Sequence, residues 1–412
     1  GYARIALDGD CEFDGFTVSG NDTLDLNGQR AEFSGGLFNN TGTITDGGDN
    51  SLIHITGTSA LRSYSPVNDS STQWSFGHHN DNPNMTLGNT DMIISGGAAS
   101  IKMPSTANDF ARNVLVSGSG AQTINSGVGF CPQNLIAGSE ITTHGSHNNK
   151  IDTTNLTIPT GGTLTANAST LTVAGDFTTS GGLLGASCLE LDNSSSENES
   201  ASVGNVTWTG MNDNWTVEMW FKTSTDEDMT LFDLRNDGND NNRIHISTVA
   251  SSNQIKVLPY RHDGTTGGGT LISSGFDFRD GKWHHIAFTS SGTAKQIYID
   301  GKLNASDSIA CDRADNPVCR LAIGKTQQST GGTFFHGAID EVRMWSVVRT
   351  QPQIRADMFQ DKALANSTGL EARYSFNEGS DAETDNRDGT ATGSGSGTRD
   401  LSVTSSAWAG AG

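Results

Sequence analysis

Residues 215–223 read Trp215-Thr216-Val217-Glu218-Met219-Trp220-Phe221-Lys222-Thr223. Apolar side chains at every second position, with aromatic weight at both ends, give a strand with one face in a core and one polar face. Outward from it the texture repeats. Downstream come Leu231-Phe232-Asp233-Leu234-Arg235, Ile244-His245-Ile246 and Ile255-Lys256-Val257-Leu258. Asp280-Gly281 is a tight turn opening a strand that carries Trp283, Ile286 and Phe288, and Ile297-Tyr298-Ile299-Asp300-Gly301-Lys302-Leu303 reads as a hairpin closed by Asp-Gly. Trp220, Trp283 and Trp345 sit in such alternating runs and are assigned to the core. The one helix signal is at Thr350-Gln351-Pro352-Gln353-Ile354: a capping Thr, Pro in the first turn, and Gln three residues after the cap.

Composition extends the β reading to the whole chain. Of 412 residues, 33% are hydrophobic and 17% charged, and 50 are glycine. Gly, Ser, Thr and Asn are poor helix formers, so helical bundles are excluded and short strands joined by polar turns are favoured. The formal net charge of −21 repels phosphate backbones, and no basic stripe offsets it, so nucleic acid is not an expected partner. No apolar run reaches the roughly 18 residues that cross a bilayer, so membrane insertion is not expected. The chain opens Gly1-Tyr2-Ala3 without Met, and the lack of a visible signal segment therefore says nothing about export.

The two halves differ. Residues 1–183 hold six of the 25 basic residues (Arg4, Arg30, Arg62, Lys102, Arg112, Lys150) and one tryptophan, Trp74. A boundary is expected in GDFTTSGGLLGAS (175–187), with Gly181-Gly182 as hinge, giving units 1–183 and 184–412. In NLTIPTGGTLTANASTLTVAGDFTTSGGLL (155–184), Leu156, Ile158, Leu164, Leu171, Val173, Phe177 and Leu183 recur at short intervals between Gly and Asn turns. This is the texture of a β-solenoid or elongated β-sheet region, whose thin core favours homo-oligomers; because the period is irregular, a plain β-sandwich stays open.

Candidate sites in the first half are sparse. His78-His79 in SFGHHNDNPN and His144 and His147 in THGSHNNK are read as loop histidines, with transition-metal binding as the alternative. Asp8, Asp10, Glu12 and Asp14 alternate and read as a solvated acidic edge, with a calcium loop second. Cys11, Cys131, Cys188, Cys311 and Cys319 have no zinc-type spacing. Cys311 and Cys319 in CDRADNPVC lie close enough to close a hairpin as a disulfide, the alternative being two unpaired thiols. The sequons at Asn155, Asn214 and Asn304 are what a chain this rich in Asn, Ser and Thr contains by chance. Leu401, Val403 and Trp408 are expected to return as a final strand.

Taken in order, VEMWFKT (217–223), DGKWHHIAFT (280–289), IYIDGKL (297–303), AIGK (322–325), FFHGAIDEVRMWSVVRTQPQI (334–354) and GLEARYSFNEG (369–379) resemble the laminin-G-like, concanavalin-A-like superfamily, including its pentraxin-type branch. The resemblance covers about half the chain. It implies an all-β architecture, with a two-sheet antiparallel jelly-roll sandwich following the first half. It also implies Ca2+ as a cofactor and glycan or protein partners. Asp340 matches a family position that faces calcium, and Asp192 matches an early strand-end acid; Asn193 stands where the family has Gly. Asp192, Asn193 and Asp340 are thus the expected metal residues, the alternative for Asp340 being a pairing with Arg343 or Arg349. A second oxygen-rich loop, at Asp237, Asp240, Asn241 and Asn242, is read as a solvated turn.

Glycan binding calls for an exposed aromatic beside polar groups. Tyr260, Arg261 and His262, after Pro259 and before DGTTGGG (263–269), are the cluster that fits; the alternative for Tyr260 is a sheet-edge residue covering the core. Catalysis is not expected. The Glu-x-Asp-x-x-Glu pattern of glucanases is absent, and Asp340 and Glu341 point to opposite faces of a regular strand. The first half resembles, in texture, virion-associated and cell-surface proteins of marine phages. The expected role is therefore a non-enzymatic surface structural or decoration protein on a virion or cell surface, with a capsid, tail or filament protein as partner and a cell-surface glycan as ligand. The alternatives are a secreted adhesin or carbohydrate-binding module, and a polysaccharide-degrading enzyme with its site in the first half.

Overall fold

The computed structural model describes residues 3–19, 22–40, 43–48, 50–56, 74–75, 84–96, 100–102, 111–118, 122–124, 132–143, 150–159, 162–167, 170–175, 177–179, 183–184, 187–193, 199–208, 210–236, 242–259, 269–309, 313, 318–327, 333–360, 367–377, 382–383, 401–403 and 408–409. The chain divides into two compact units, Gly1–Thr179 and Ser180–Gly412.

The first unit is a β-solenoid. Eight parallel strands stack into one sheet: Cys11–Ser19, Arg30–Asn40, Ser51–Ile55, Thr90–Ile94, Asn113–Val116, Asn134–Ala137, Asn155–Ile158 and Phe177–Thr179. Further parallel sheets of four, five and two short strands are built from the alternate segments of the same coils. The register places like residues on top of one another. Ile53, Met92, Val114, Leu135 and Leu156 form one inward rank in the thin core. A polar rank runs beside it. Asn155 Nδ2 donates to Asn134 Oδ1, Asn134 Nδ2 to Asn113 Oδ1, and Asn113 Nδ2 to Asp91 Oδ1, each at 2.7 Å. Asp91 ends the ladder, and Arg112 holds its carboxylate with Nε at 2.9 Å and Nη2 at 2.6 Å. Each amide thus satisfies its neighbour in a site where an unpaired group is costly. Asp8, Asp10, Glu12 and Asp14 are exposed, as a solvated edge requires.

The second unit is a two-sheet antiparallel jelly roll. One sheet has the order Lys302–Ser308, Ala294–Ile299, His284–Ser291, Asn214–Lys222, Gly337–Trp345, Cys188–Leu191, Trp408–Ala409, with Leu370–Tyr374 also paired to Gly337–Trp345. The facing sheet runs Leu271–Ile272, Gln254–Pro259, Ile244–Val249, Thr230–Arg235, Val318–Ile323, Ala201–Thr207, Leu401–Val403, Ala382–Glu383. Leu401, Val403 and Trp408 therefore do return as strands. Trp215, Val217, Met219 and Phe221 face Ile246, Val257, Leu321 and Ile323 across the core. The hairpin at Asp300-Gly301 has φ of 47° and 69°, the left-handed pair that a two-residue turn needs. Gly337 starts the central strand where a Cβ would lie 2.1 Å from the Lys222 carbonyl oxygen.

The strand Gly337–Trp345 is not regular. Glu218 pairs with Arg343 but Trp220 pairs with Asp340, so two residues, Glu341 and Val342, oppose Met219 alone. Glu341 takes φ 50°, and this bulge turns its side chain to the same face as Asp340, not the opposite one as strict alternation predicts. That outer face is closed by helix α1 (Gln351–Asp357). Its cap is as read: Thr350 N–H donates to Gln353 Oε1 at 2.9 Å. Trp220 and Trp345 are fully buried, but outside the inter-sheet core. Trp220 Nε1 donates to the Met358 carbonyl at 2.6 Å and Trp345 Nε1 to Glu218 Oε1 at 3.1 Å.

Asn134→Ala removes the middle rung of the amide ladder and leaves Asn155 and Asn113 short of a partner. A loss of about 1–3 kcal/mol is expected, against under about 0.5 kcal/mol for Glu140→Ala at an exposed site. Denaturant unfolding of the two variants checks this.

Candidate functional site

An inward-facing rank at one end of the jelly roll leaves a pocket between the two sheets. Trp215, near the start of its strand, pairs with Ser290, which pairs with Lys295. Phe288 lies one rank deeper, opposite Val217 and Ile297. From the other sheet come Val257, paired with Leu271 on the short edge strand, and Pro259. Trp215, Phe288, Val257, Leu271, Pro259, Thr289, Lys295 and Gln296 line a shallow depression that has room for about one water molecule. Its walls are mostly aromatic and aliphatic. Lys295 is buried and its Nζ donates to the Gly292 carbonyl. Trp215 is also buried, and its Nε1–H has no hydrogen-bond partner. An orphan indole N–H costs about 1–3 kcal/mol. Tyr260, Arg261 and His262 follow Pro259 directly in the chain and lie outside the described residues.

The expected metal residues are not brought together. Asp192 and Asp340 lie on neighbouring strands, with Leu191 opposite Gly337 and Leu189 opposite Ile339. That register sets the two acids about four residues apart along the ladder, or about 13 Å. The Asp192 side chain is 69% exposed, with His336 Nε2 at 3.8 Å. Asn193 is fully used: Nδ2 donates to the carbonyls of Glu199 at 3.2 Å and Phe335 at 2.6 Å, and Oδ1 accepts from Glu199 N–H at 2.8 Å. Asp340 is buried, with Oδ2 accepting from Leu184 N–H at 3.0 Å. Burial pushes its carboxyl well above the usual range, and the nearby Glu341 adds to the shift. Asp340 thus lies apart from Asp192 and Asn193 along the ladder, and each of the three has its own partners. The pairing considered for Asp340 belongs to Glu341, which binds Arg343 and Arg373, each at 2.8 Å.

Of the two cysteines expected to bridge, Cys319 lies in the jelly-roll core, with Arg313 Nη2 3.7 Å from its Sγ. Strand pairing with Val206 turns it inward, and its expected partner Cys311 lies outside the described residues. His78, His79, His144, His147, Asp237, Asp240 and Asn241 are outside them too. Asn242 is buried, and its carbonyl accepts from Arg313 Nε at 3.0 Å. Among the described residues, no group of three or more His, Cys, Asp or Glu is placed to hold a metal, and no helix is long and apolar enough to cross a membrane.

A charged cluster that sequence reading did not single out sits at the hairpin of the first sheet. His284 lies between two carboxylates, Nδ1 2.9 Å from Asp300 Oδ2 and Nε2 3.1 Å from Asp280 Oδ1. Burial works against its charge, but Asp300 and then Asp280 outweigh it and push the imidazole up to about 10. Its neighbour His285 is pushed down to about 3 by burial, with the Arg343 charge adding. The two Asp-Gly turns in the sequence, at 280–281 and 300–301, were the signal available for this pair of acids.

Compared with known proteins, residues 195–355 match the family model described as the concanavalin A-like lectin/glucanases superfamily, a laminin-G-type family. A curated relative is the Sushi, von Willebrand factor type A, EGF and pentraxin domain-containing protein 1 of Rattus norvegicus, 34% identical over 85 residues. The match takes in 19% of this chain and spans only about 2% of that protein's length. Among solved structures, a Bacteroides ovatus protein provisionally described as carbohydrate binding is 18% identical, with a TM-score of 0.37, covering 50% of this chain and 58% of that one. The heptameric SAP-like pentraxin of Limulus polyphemus is 12% identical, with a TM-score of 0.34, covering 42% of this chain and 81% of that one.

The two histidines set opposite limbs of stability against pH. His284, raised in the folded state, contributes fully below about 6.5, the unfolded value, and its contribution is lost as pH climbs through about 10. His285, depressed, costs stability as pH falls from about 6.5 toward about 3, because only the unfolded chain takes up the proton. His284→Gln should lower stability at pH 6 by about 3 kcal/mol and flatten the decline from pH 7 to 10. Urea unfolding across pH checks it; an unchanged alkaline limb would contradict the assignment.

Proposed function

We propose that this protein is a non-catalytic surface module whose jelly roll holds a glycan at the inter-sheet pocket. The observation that carries this reading is the two-sheet jelly roll, with a shallow, mostly apolar depression between its sheets at the Trp215 end. The match of residues 195–355 to a lectin/glucanase superfamily supports it. Binding without hydrolysis is favoured because the strand carboxylates Glu218, Asp340 and Glu341 are all buried on the face that α1 covers. Burial raises the Glu218 carboxyl despite Arg349 and Arg343 nearby. No solvent-facing pair of acids is formed by these three, as a glycosidase would need.

In this reading the solenoid is the attachment element and the protein works outside the cell or on a surface. Its partner is a capsid, tail or filament protein, or a second copy of the chain. The outward Thr163, Thr165, Thr170 and Thr172 and the exposed Phe177 on the last coils support an assembly face there.

The test is a glycan array probed with the full chain, with and without EDTA, and with product analysis of the retained glycans. Retention of a defined glycan set that survives chelation and releases no new reducing ends is expected. Retention of no glycan would contradict the reading, new reducing ends would make the protein an enzyme, and loss on chelation would place calcium in the site.

A further inference from the structure

In the first unit a buried histidine is joined to a buried arginine. Glu32 and His54 stand opposite each other on the strands Arg30–Asn40 and Ser51–Ile55. Arg30, which opens the first of these strands, is 3% exposed, and His54 is 6% exposed. Arg30 Nη2 lies 2.5 Å from His54 Nδ1, and Arg30 Nη1 lies 2.6 Å from Glu32 Oε2. On the other side of the ring, His54 Nε2 is 2.8 Å from Ser95 Oγ. A guanidinium can only donate, so Nδ1 is the acceptor and the one proton of the neutral ring sits on Nε2, which donates to Ser95. The Ser95–His54 pair therefore runs opposite to a nucleophile and its base, in which the imidazole accepts from the hydroxyl.

A second proton has only Nδ1 to go to, where it meets the Arg30 guanidinium. The hydrogen bond is then lost and two cations face each other out of water, which is costly. Among the described residues, the strand Arg30–Asn40 brings Arg30 and Glu32 to the ring, and Glu32 is already held by Arg30 and by Thr56 Oγ1 at 3.5 Å. One carboxylate would then serve two cations. On the next strand, Thr90–Ile94, the apolar Ile93 is opposite His54, and Asp91 is gripped by Arg112. Glu12, opposite Glu32 on the first strand, is exposed. Segments 57–73 and 97–99, which adjoin the cluster in sequence, lie outside the described residues.

We propose that His54 is an acid-operated release built into the solenoid: a proton on Nδ1 breaks its bond to Arg30 and frees the strand Ser51–Ile55 from its neighbour Arg30–Asn40. The closed coil holds the ring neutral, whereas an opened coil takes up the proton below about 6.5, the ordinary histidine value. The stabilisation is therefore fully present above that value and is lost as pH falls. At pH 5 the opening equilibrium has shifted by about thirtyfold.

The experiment is amide hydrogen exchange of the full chain at pH 7 and pH 5, with protection corrected for the intrinsic rate at each pH. Protection of the amides in Ser51–Ile55 should fall by about thirtyfold between the two. His54→Gln keeps an acceptor and a donor but does not titrate, and it should flatten that fall. A variant that loses protection equally at both pH values and keeps the fall would make His54 merely structural and overturn the proposal, as would a wild type whose protection does not change. Nitrogen NMR of the ring-labelled wild type at pH 7 is the second arm, and it carries the test if His54→Gln fails to fold. It should find the His54 proton on Nε2; a proton on Nδ1 overturns the release, since Arg30 would then have no acceptor there to lose.

Discussion

Glu341 is a buried carboxylate in the left-handed region of backbone space, gripped by two arginines that are themselves buried. The bulge it creates is what lets the central strand Gly337–Trp345 present Asp340, Glu341 and Arg343 to one side while keeping Ile339, Val342 and Met344 in the core. Arg343 then reaches the Asp357 carbonyl at 2.7 Å, and Arg349 pairs with Asp357. Helix α1 is a short element that would not persist alone. It is held by this cluster, by Trp220 below it, and by Arg355 donating to the Gly301 carbonyl at 2.8 Å.

Charges in such a place add little net stability, since their desolvation offsets their attraction, but removing one partner strands the other. The consequence is a face of the sandwich whose Glu341, Arg343, Arg373, Arg349 and Asp357 are tied to one another beneath α1. The inter-sheet end at Trp215 presents a shallow, mostly apolar depression instead. The solenoid applies the same logic to neutral groups: its Asn ladder closes on Asp91 and Arg112, so each coil specifies the register of the next.

Much of the jelly roll was legible because local signals agreed with the fold. The alternation from Trp215 to Phe221, the Asp300-Gly301 turn and the Thr350–Gln353 cap each dictate one backbone shape. What was not legible came from phase. A bulge cannot be seen in a sequence, so regular alternation sent Asp340 and Glu341 to opposite faces and hid their shared one. Asp192 and Asp340 looked like companions until register set them far apart along one ladder. In the first half the coil step is short from Asn113 to Asn134 to Asn155, yet Leu52 stacks directly on the distant Asp91. That long step broke the period and kept a sandwich in play beside the solenoid. Pockets are the least legible of all, since Trp215 and Leu271 meet only through the packing of two sheets.

The claim on which the account turns is that a glycan is held at the inter-sheet end and nowhere near the helix-covered face. Indole N–H resonances report on this directly, because each tryptophan gives its own signal, and Trp215, Trp220 and Trp345 stand in three different settings. In a titration of the full chain with a glycan that it retains, followed by proton–nitrogen correlation spectra, the signal of Trp215, which lines the depression, should shift. Trp220 and Trp345 should stay in place. A saturating glycan that leaves Trp215 unmoved would contradict the account.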